Sequence, residues 1–290
     1  MNITLENNEY TAVIKTHGAE LISYKNKDTQ IEYIWYGKPE FWGRHTPILF
    51  PYVGRLKEDQ FIFDGKTYKG PQHGFARDSE FELVSQSQTA ARFSLKYTNE
   101  TLEKYPFKFE LIVSYVLSEE GIKTSWTVKN LDDKKIYFGI GGHPAFNVPM
   151  EEGLTFEDYY FEVEPSGIKT RIPFVPPYLD TDNKFQEEVG KIQINRELFV
   201  GDALVYETKE ATTIHIKSDK SEHSLSLSYE NIPYVGLWSS YPAESPFVCI
   251  EPWWSFADTT SDSGVFNEKT SIQSLEVGDV FETSYFIHGN

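Results

Sequence analysis

Four short segments place ionisable side chains inside apolar or glycine-rich runs. In Phe247-Val248-Cys249-Ile250-Glu251-Pro252-Trp253-Trp254, a carboxylate ends an apolar stretch. Burial raises the pKa of such a group unless a partner offsets the desolvation, and groups in that conflict concentrate at active sites. The alternative is a buried glutamate satisfied by backbone amides or by Arg55. In Gly139-Ile140-Gly141-Gly142-His143-Pro144, three glycines weaken a plain strand but admit close approach of backbone or ligand around His143. A phosphate loop is excluded, because no Gly-Lys-Ser/Thr follows and no helix opens there. His73-Gly74-Phe75-Ala76-Arg77 offers an imidazole in a glycine turn, either donating to a ligand oxygen or holding the loop. Arg55 ends the run Pro47 to Leu56, where a forked guanidinium suits sugar hydroxyls or a carboxylate, or simply meets solvent at a strand end. Trp238, Trp253 and Trp254 present aromatic faces for a sugar or for the core.

The elements that must position these groups are strands. Phe107, Phe109, Leu111, Val113, Tyr115 and Leu117 alternate with their neighbours, as do Ile122, Thr124, Trp126 and Val128. Ile214/Ile216, Leu225/Leu227/Tyr229 and Phe281 to Ile287 repeat the period of two, and turn signals such as Asp64-Gly65 separate the runs. The pattern predicts an all-β fold, an antiparallel sandwich with one side of each strand buried. Short helices are expected near 38–42, 101–105 and 151–156. The proline-bearing stretch 165–184 reads as a long loop. No linker or internal repeat interrupts the chain, so residues 1–290 are expected to form a single domain.

Bulk properties narrow the partners. Across 290 residues, 27 Lys and Arg stand against 44 Asp and Glu, a formal charge of −17. Such a surface repels phosphate backbones and anionic headgroups, which argues against nucleic acid and membrane partners and leaves a small molecule as the expected one. An anionic substrate would need a local basic pocket. The single cysteine, Cys249, excludes an intrachain disulfide and reads as a small core residue. No signal peptide pattern opens the chain, so the cytoplasm is the expected compartment. Oligomeric state is left open.

Together, Gly54-Arg55, His73-Gly74, Gly142-His143-Pro144-Ala145-Phe146 and Glu251-Pro252-Trp253 resemble the aldose 1-epimerase (galactose mutarotase) superfamily, and more narrowly its LacX-type branch. The resemblance runs from about Ile3 to Ile287 and implies a large antiparallel β-supersandwich. It implies that Glu251 acts as base on the anomeric hydroxyl and His143 as acid on the ring oxygen, with His73 assisting. Arg55 matches the arginine that holds sugar hydroxyls, and Asp202 is the best match for an aspartate with the same task. Arg77, with Arg44 and Lys57, is available for a phosphate, and Trp238 for stacking. No cofactor is implied. The chain departs from the epimerases proper in having Gly142 where they have asparagine before the histidine, and Pro252 where they have threonine.

Two other readings remain at this level. A non-catalytic sugar-binding or sensor protein would use the same scaffold, although binding alone does not require an acid and a base. His73, His143 and Glu251 have the composition of a facial metal site for an oxygenase, although their wide separation in sequence is unlike such sites.

Overall fold

The computed structural model describes Met1 to Asn290. Thirteen strands run in sequence across one large antiparallel sheet, and two more pair onto its flanks. From one edge the path goes through Ile48–Leu49, Gly141–Gly142, Phe247–Trp253, Tyr234–Trp238 and Leu204–Glu207. It continues through Tyr159–Ile172, Thr212–Ser218, Leu225–Tyr229, Val280–Gly289, Gly121–Asn130 and Phe109–Ser118, ending on Ala90–Lys96 and Glu82–Gln86. A separate sheet, Asn2–Glu6, Tyr10–Lys15 and Glu20–Asn26, packs into the same core. The β-supersandwich expected from the resemblance is the observed fold.

Alternation in the sequence becomes burial in the sheet. Phe109, Leu111, Val113, Tyr115 and Leu117 are all buried, and so are Ile122, Thr124, Trp126 and Val128. Trp126 lies opposite both Val113 and Thr283, so three strands stack one layer of side chains. Cys249 is fully buried, as expected.

The irregular segments behave differently from their reading. Only Asn99–Lys104 becomes an α-helix, opened by a capping box between Thr98 and Thr101. Residues 38–42 form turns, and the third expected helix, 151–156, is a turn and irregular chain that leads into a short 3₁₀ turn, Phe156–Asp158. The stretch 165–184 is not a long loop. The Tyr159–Ile172 strand runs through Pro165 with an irregularity in its register, and the hairpin Phe174–Val175/Tyr178–Leu179 follows. Prolines are tolerated at bulges and hairpin turns, so they do not stop pairing there.

Beside this hairpin lies a buried ion cluster. Lys269 Nζ is 2.8 Å from Asp258 Oδ1 and 3.9 Å from Asp262 Oδ2, all three side chains being nearly inaccessible. Asp258 ties several loops together. Its Oδ2 accepts the Lys57 N–H at 2.8 Å. Its own N–H donates to the Arg55 carbonyl at 3.0 Å, and its carbonyl accepts the Leu179 N–H at 3.1 Å.

Candidate active site

The Phe247–Trp253 strand is buried along its whole length, with neighbours on both edges. One neighbour is interrupted. Gly141 pairs with Trp253 and Ala145 with Cys249, so the chain between them brings His143 opposite Glu251. On the other edge Glu251 faces Gly236. The glycine requirement is steric at Gly141, where a Cβ would come within 2.7 Å of the Trp253 ring.

His143 Nε2 stands 3.3 Å from Glu251 Oε2, both side chains buried. The imidazole stacks on Trp42 with ring centres 4.7 Å apart and meets Trp238 edge-on at 5.4 Å. Burial, reinforced by the charges of Arg77 and Arg44, pushes His143 down to about 3. Burial, then the nearby Asp202 carboxylate, pushes Glu251 well above the usual carboxylate range, against a smaller pull from the Trp253 indole. That indole N–H nevertheless lacks a formed hydrogen bond, as does His143 Nδ1. Both shifts favour the uncharged forms, a Glu251 carboxyl beside a neutral His143 imidazole.

His73 approaches the same imidazole edge-on, with ring centres 5.6 Å apart. It adopts a φ of 66°, stabilised by two bonds to Gly54. The His73 N–H donates to the Gly54 carbonyl at 2.8 Å, and the Gly54 N–H donates to His73 Nδ1 at 3.0 Å. Because Nδ1 accepts, the neutral ring carries its proton on Nε2 and is a donor there. Gly54 itself has a φ of 73°, and a Cβ on it would fall 2.5 Å from the Ala257 Cβ. Burial, followed by the charges of His143 and the arginines, holds His73 well below its ordinary pKa.

These groups line a cleft of about 420 Å³, within the range of small-molecule sites, about 300–1,000 Å³. Glu251, His143, His73, Arg55, Asp202, Arg77 and Trp238 all line it, whereas Arg44 and Lys57 do not, Lys57 Nζ donating instead to the Thr260 and Asp262 carbonyls. Their environments differ. Arg55 is largely exposed and its Nε lies 3.4 Å from Asp59, so it does not satisfy Glu251. Arg77 is mostly covered, and its Nη2 donates to the Gln72 carbonyl at 2.6 Å. Asp202 sits at the rim with a φ of 79°, its Oδ1 accepting the Ala203 N–H at 2.8 Å. Burial raises its carboxyl.

Three outcomes depart from the sequence reading. Trp254 turns away from this cleft and donates to Thr283 Oγ1 at 2.9 Å. It borders a larger, more open hollow of about 1270 Å³ that contains none of the acid–base groups. Trp42, Gln72, Phe174 and Pro177 line the cleft and were not selected. Gln72 adjoins His73, and Trp42 follows Phe41 in an aromatic pair, the only signals available. Among possible metal ligands, His143 and Glu251 converge with Cys249 within 4.8 Å, not with His73, whose Nδ1 is taken by Gly54.

The raised Glu251 pKa has a consequence for stability. In the unfolded chain a glutamate ionises at about 4.3, while the buried carboxyl stays protonated to a higher pH. Its contribution is thus complete below the unfolded pKa and is lost as pH rises toward the folded value. Glutamine in its place does not titrate. The Tm difference between Glu251→Gln and wild type should therefore move in favour of the variant from pH 5 to pH 8, by about 2–4 °C per kcal/mol. Thermal melts at the two pH values check this, and a difference that is flat or moves the other way contradicts the assigned direction.

An antiparallel supersandwich with a buried imidazole–carboxyl pair in a small-molecule cleft defines the class. Comparison with known proteins agrees. The aldose 1-epimerase family profile matches residues 1–269. The chromosomal Protein LacX of Lactococcus lactis is 34% identical, with 99% of each chain covered. A galactose mutarotase related enzyme from Lactobacillus acidophilus superposes with a TM-score of 0.98 at 39% identity, covering 100% of this chain and 97% of that one. A galactose mutarotase-like protein from Lactobacillus casei gives 0.93 at 33%, with 100% of both chains covered. The chain belongs to the aldose 1-epimerase family, whose character is that of an isomerase acting on a small sugar. No helix is long and apolar enough to cross a membrane.

Proposed function

We propose that this protein interconverts the α and β anomers of an aldohexose or a derivative of one, with Glu251 and His143 as the acid–base pair. The observation that carries the reading is the 3.3 Å approach of His143 Nε2 to Glu251 Oε2 inside the cleft. Transfer of the shared proton across that gap turns the resting pair into a carboxylate and an imidazolium. The carboxylate takes the proton of the anomeric hydroxyl, and its O–H electron pair forms the C1 carbonyl. The C1–O5 bond breaks, its electrons go to O5, and His143 delivers a proton there. Rotation about C1–C2 and reversal of the steps give the other anomer, with both residues back in their starting states. His73 Nε2–H donates a hydrogen bond near the ring oxygen. Arg55, Asp202 and Arg77 hold substituents, and Trp238 covers a sugar face. No step consumes a cofactor. Residues 1–290 are read as one domain, supported by a core of 62 residues running from Ile3 to Ile287.

A pair that holds one proton is competent until it gains a second or loses the first. Gaining one requires charging His143, held down to about 3, and losing one requires ionising Glu251, held up. The kcat/KM profile, followed by polarimetry on freshly dissolved α-anomers, should show no acid limb from His143 near the ordinary histidine value. An acid limb near 6.5, the unperturbed histidine value of about 6.5, contradicts that proton inventory.

A further inference from the structure

We propose, resting on the mutarotase reading, that Trp253 is a positioning residue of the reaction, its indole N–H donating a hydrogen bond to the Glu251 carboxylate each time that group ionises. A slot built from the two neighbouring strands carries the inference. Trp253 and Glu251 are two residues apart on the Phe247–Trp253 strand, so their side chains leave the same face of the sheet. On one edge Gly141 pairs with Trp253, and on the other Gly236 pairs with Glu251. A Cβ on Gly141 would fall 2.7 Å from the indole Cδ1, and one on Gly236 would fall 2.7 Å from Cη2, at the far end of the ring. The indole therefore lies over the strand that carries Glu251, from the Gly141 side to the Gly236 side.

Neither glycine uses its backbone freedom, because neither has a positive φ. What they supply is room, at the cost in strand stability that glycine brings. That room fixes the position of one donor. Nε1, bonded to Cδ1, is buried without a protein partner, in a side chain that lines the cleft and is 5% exposed. A buried indole N–H ordinarily finds an acceptor. The next residue does so, Trp254 donating to Thr283 Oγ1 at 2.9 Å.

The acceptor for Trp253 is the charge that the reaction creates. Around Glu251 stand His143 at 3.3 Å, the Asp202 carboxylate, the Cys249 thiol on the same strand face, and the Trp253 indole. Asp202 disfavours the ionised carboxylate and the indole favours it. The imidazole and the indole are the two nitrogen donors in this set. His143 gives its proton to O5 as the ring opens, whereas the indole N–H does not titrate and stays in place. In the resting pair the indole bond is not formed. When the carboxyl proton passes to His143, the carboxylate gains that bond, which lowers the cost of the charged pair without stabilising the resting one. Interactions of that kind raise kcat, not substrate affinity.

The test begins with Trp253→Phe, which keeps an aromatic ring and removes the N–H. In saturation-transfer NMR of galactose, glucose and their 6-phosphates, it should lower kcat by about 10–100-fold with KM nearly unchanged. Gly236→Ala leaves the N–H present but crowds Cη2, and should lower kcat in the same direction. Thermal melts establish that both variants fold. A ¹H–¹⁵N spectrum gives a readout free of turnover, because the chain has six tryptophans and Trp253→Phe identifies one indole signal among them. That signal should move downfield as pH rises toward ionisation of Glu251, and should stay still in Glu251→Gln. A raised KM at unchanged kcat in Trp253→Phe would put the N–H on a sugar hydroxyl and overturn the inference. Unchanged kinetics would overturn it too, as would an indole signal that behaves alike in wild type and Glu251→Gln. Failure of wild type to exchange any of these sugars would remove the mutarotase reading, while the indole signal would still decide whether the hydrogen bond to Glu251 forms.

Discussion

Glu251→Gln should lower kcat/KM for anomer exchange by about 10²–10⁴-fold, and His143→Asn should lower it by a similar factor. The geometry sets both expectations. Glutamine keeps the shape of the side chain that faces Gly236 but cannot accept the anomeric proton. Asparagine at 143 loses the stacking surface on Trp42 along with the imidazole acid. Because the two groups lie 3.3 Å apart and are proposed to act as one acid–base pair, removing both should cost little more than removing either, the non-additivity expected of residues acting as a unit. Thermal melts of the variants distinguish lost chemistry from lost structure. Additive losses in the double variant would mean that the residues act in separate steps.

The second large effect is on stability. Lys269→Met leaves Asp258 and Asp262 without their ammonium partner, in a site where both carboxylates are about 4% exposed. Removing one member of a buried ion cluster costs about 3–5 kcal/mol, mostly for the charges left behind. Asp262 retains its Thr270 and Thr259 amides, whereas Asp258 loses its 2.8 Å contact to Nζ. Asp258 also joins the Arg55 segment to the Phe174–Leu179 hairpin, so the loss reaches the cleft. Denaturant unfolding should show a lower midpoint with an unchanged m-value, and KM should rise. A stability change under about 1 kcal/mol would show that the cluster behaves as a surface ion pair does.

How much of this was legible in the sequence depends on the range of the interaction. Strands such as Phe109–Ser118 announce themselves because alternation is a local property and burial of one face obeys it. The residues proposed to carry the chemistry were also legible, since Glu251 and His143 interrupt runs that otherwise favour burial or close packing. Their meeting was not legible. It depends on two anchors, Gly141 with Trp253 and Ala145 with Cys249, set by pairing between segments about a hundred residues apart. Trp42 and Trp254 show the same limit. Aromatic side chains serve core and cleft equally well, and only the tertiary fold decides that the first stacks on His143 while the second bonds Thr283. Prolines misled for a different reason. Pro165, Pro176 and Pro177 signal broken pairing, yet they fall at an irregular register and at a hairpin turn that brings Pro177 to the cleft. The tautomer of His73 was hidden as well, because it is set by the Gly54 N–H and not by any neighbour in the chain.

The central claim is that the Glu251–His143 pair exchanges anomers. The most direct test is saturation-transfer NMR on equilibrated α/β mixtures of glucose, galactose and their 6-phosphates, with wild type and the double variant Glu251→Gln/His143→Asn at equal concentration. The account predicts magnetisation transfer between the anomeric signals of at least one sugar with wild type, and transfer at the buffer rate with the folded double variant. Transfer at the buffer rate with wild type for every sugar, or equal acceleration by the double variant, would contradict it.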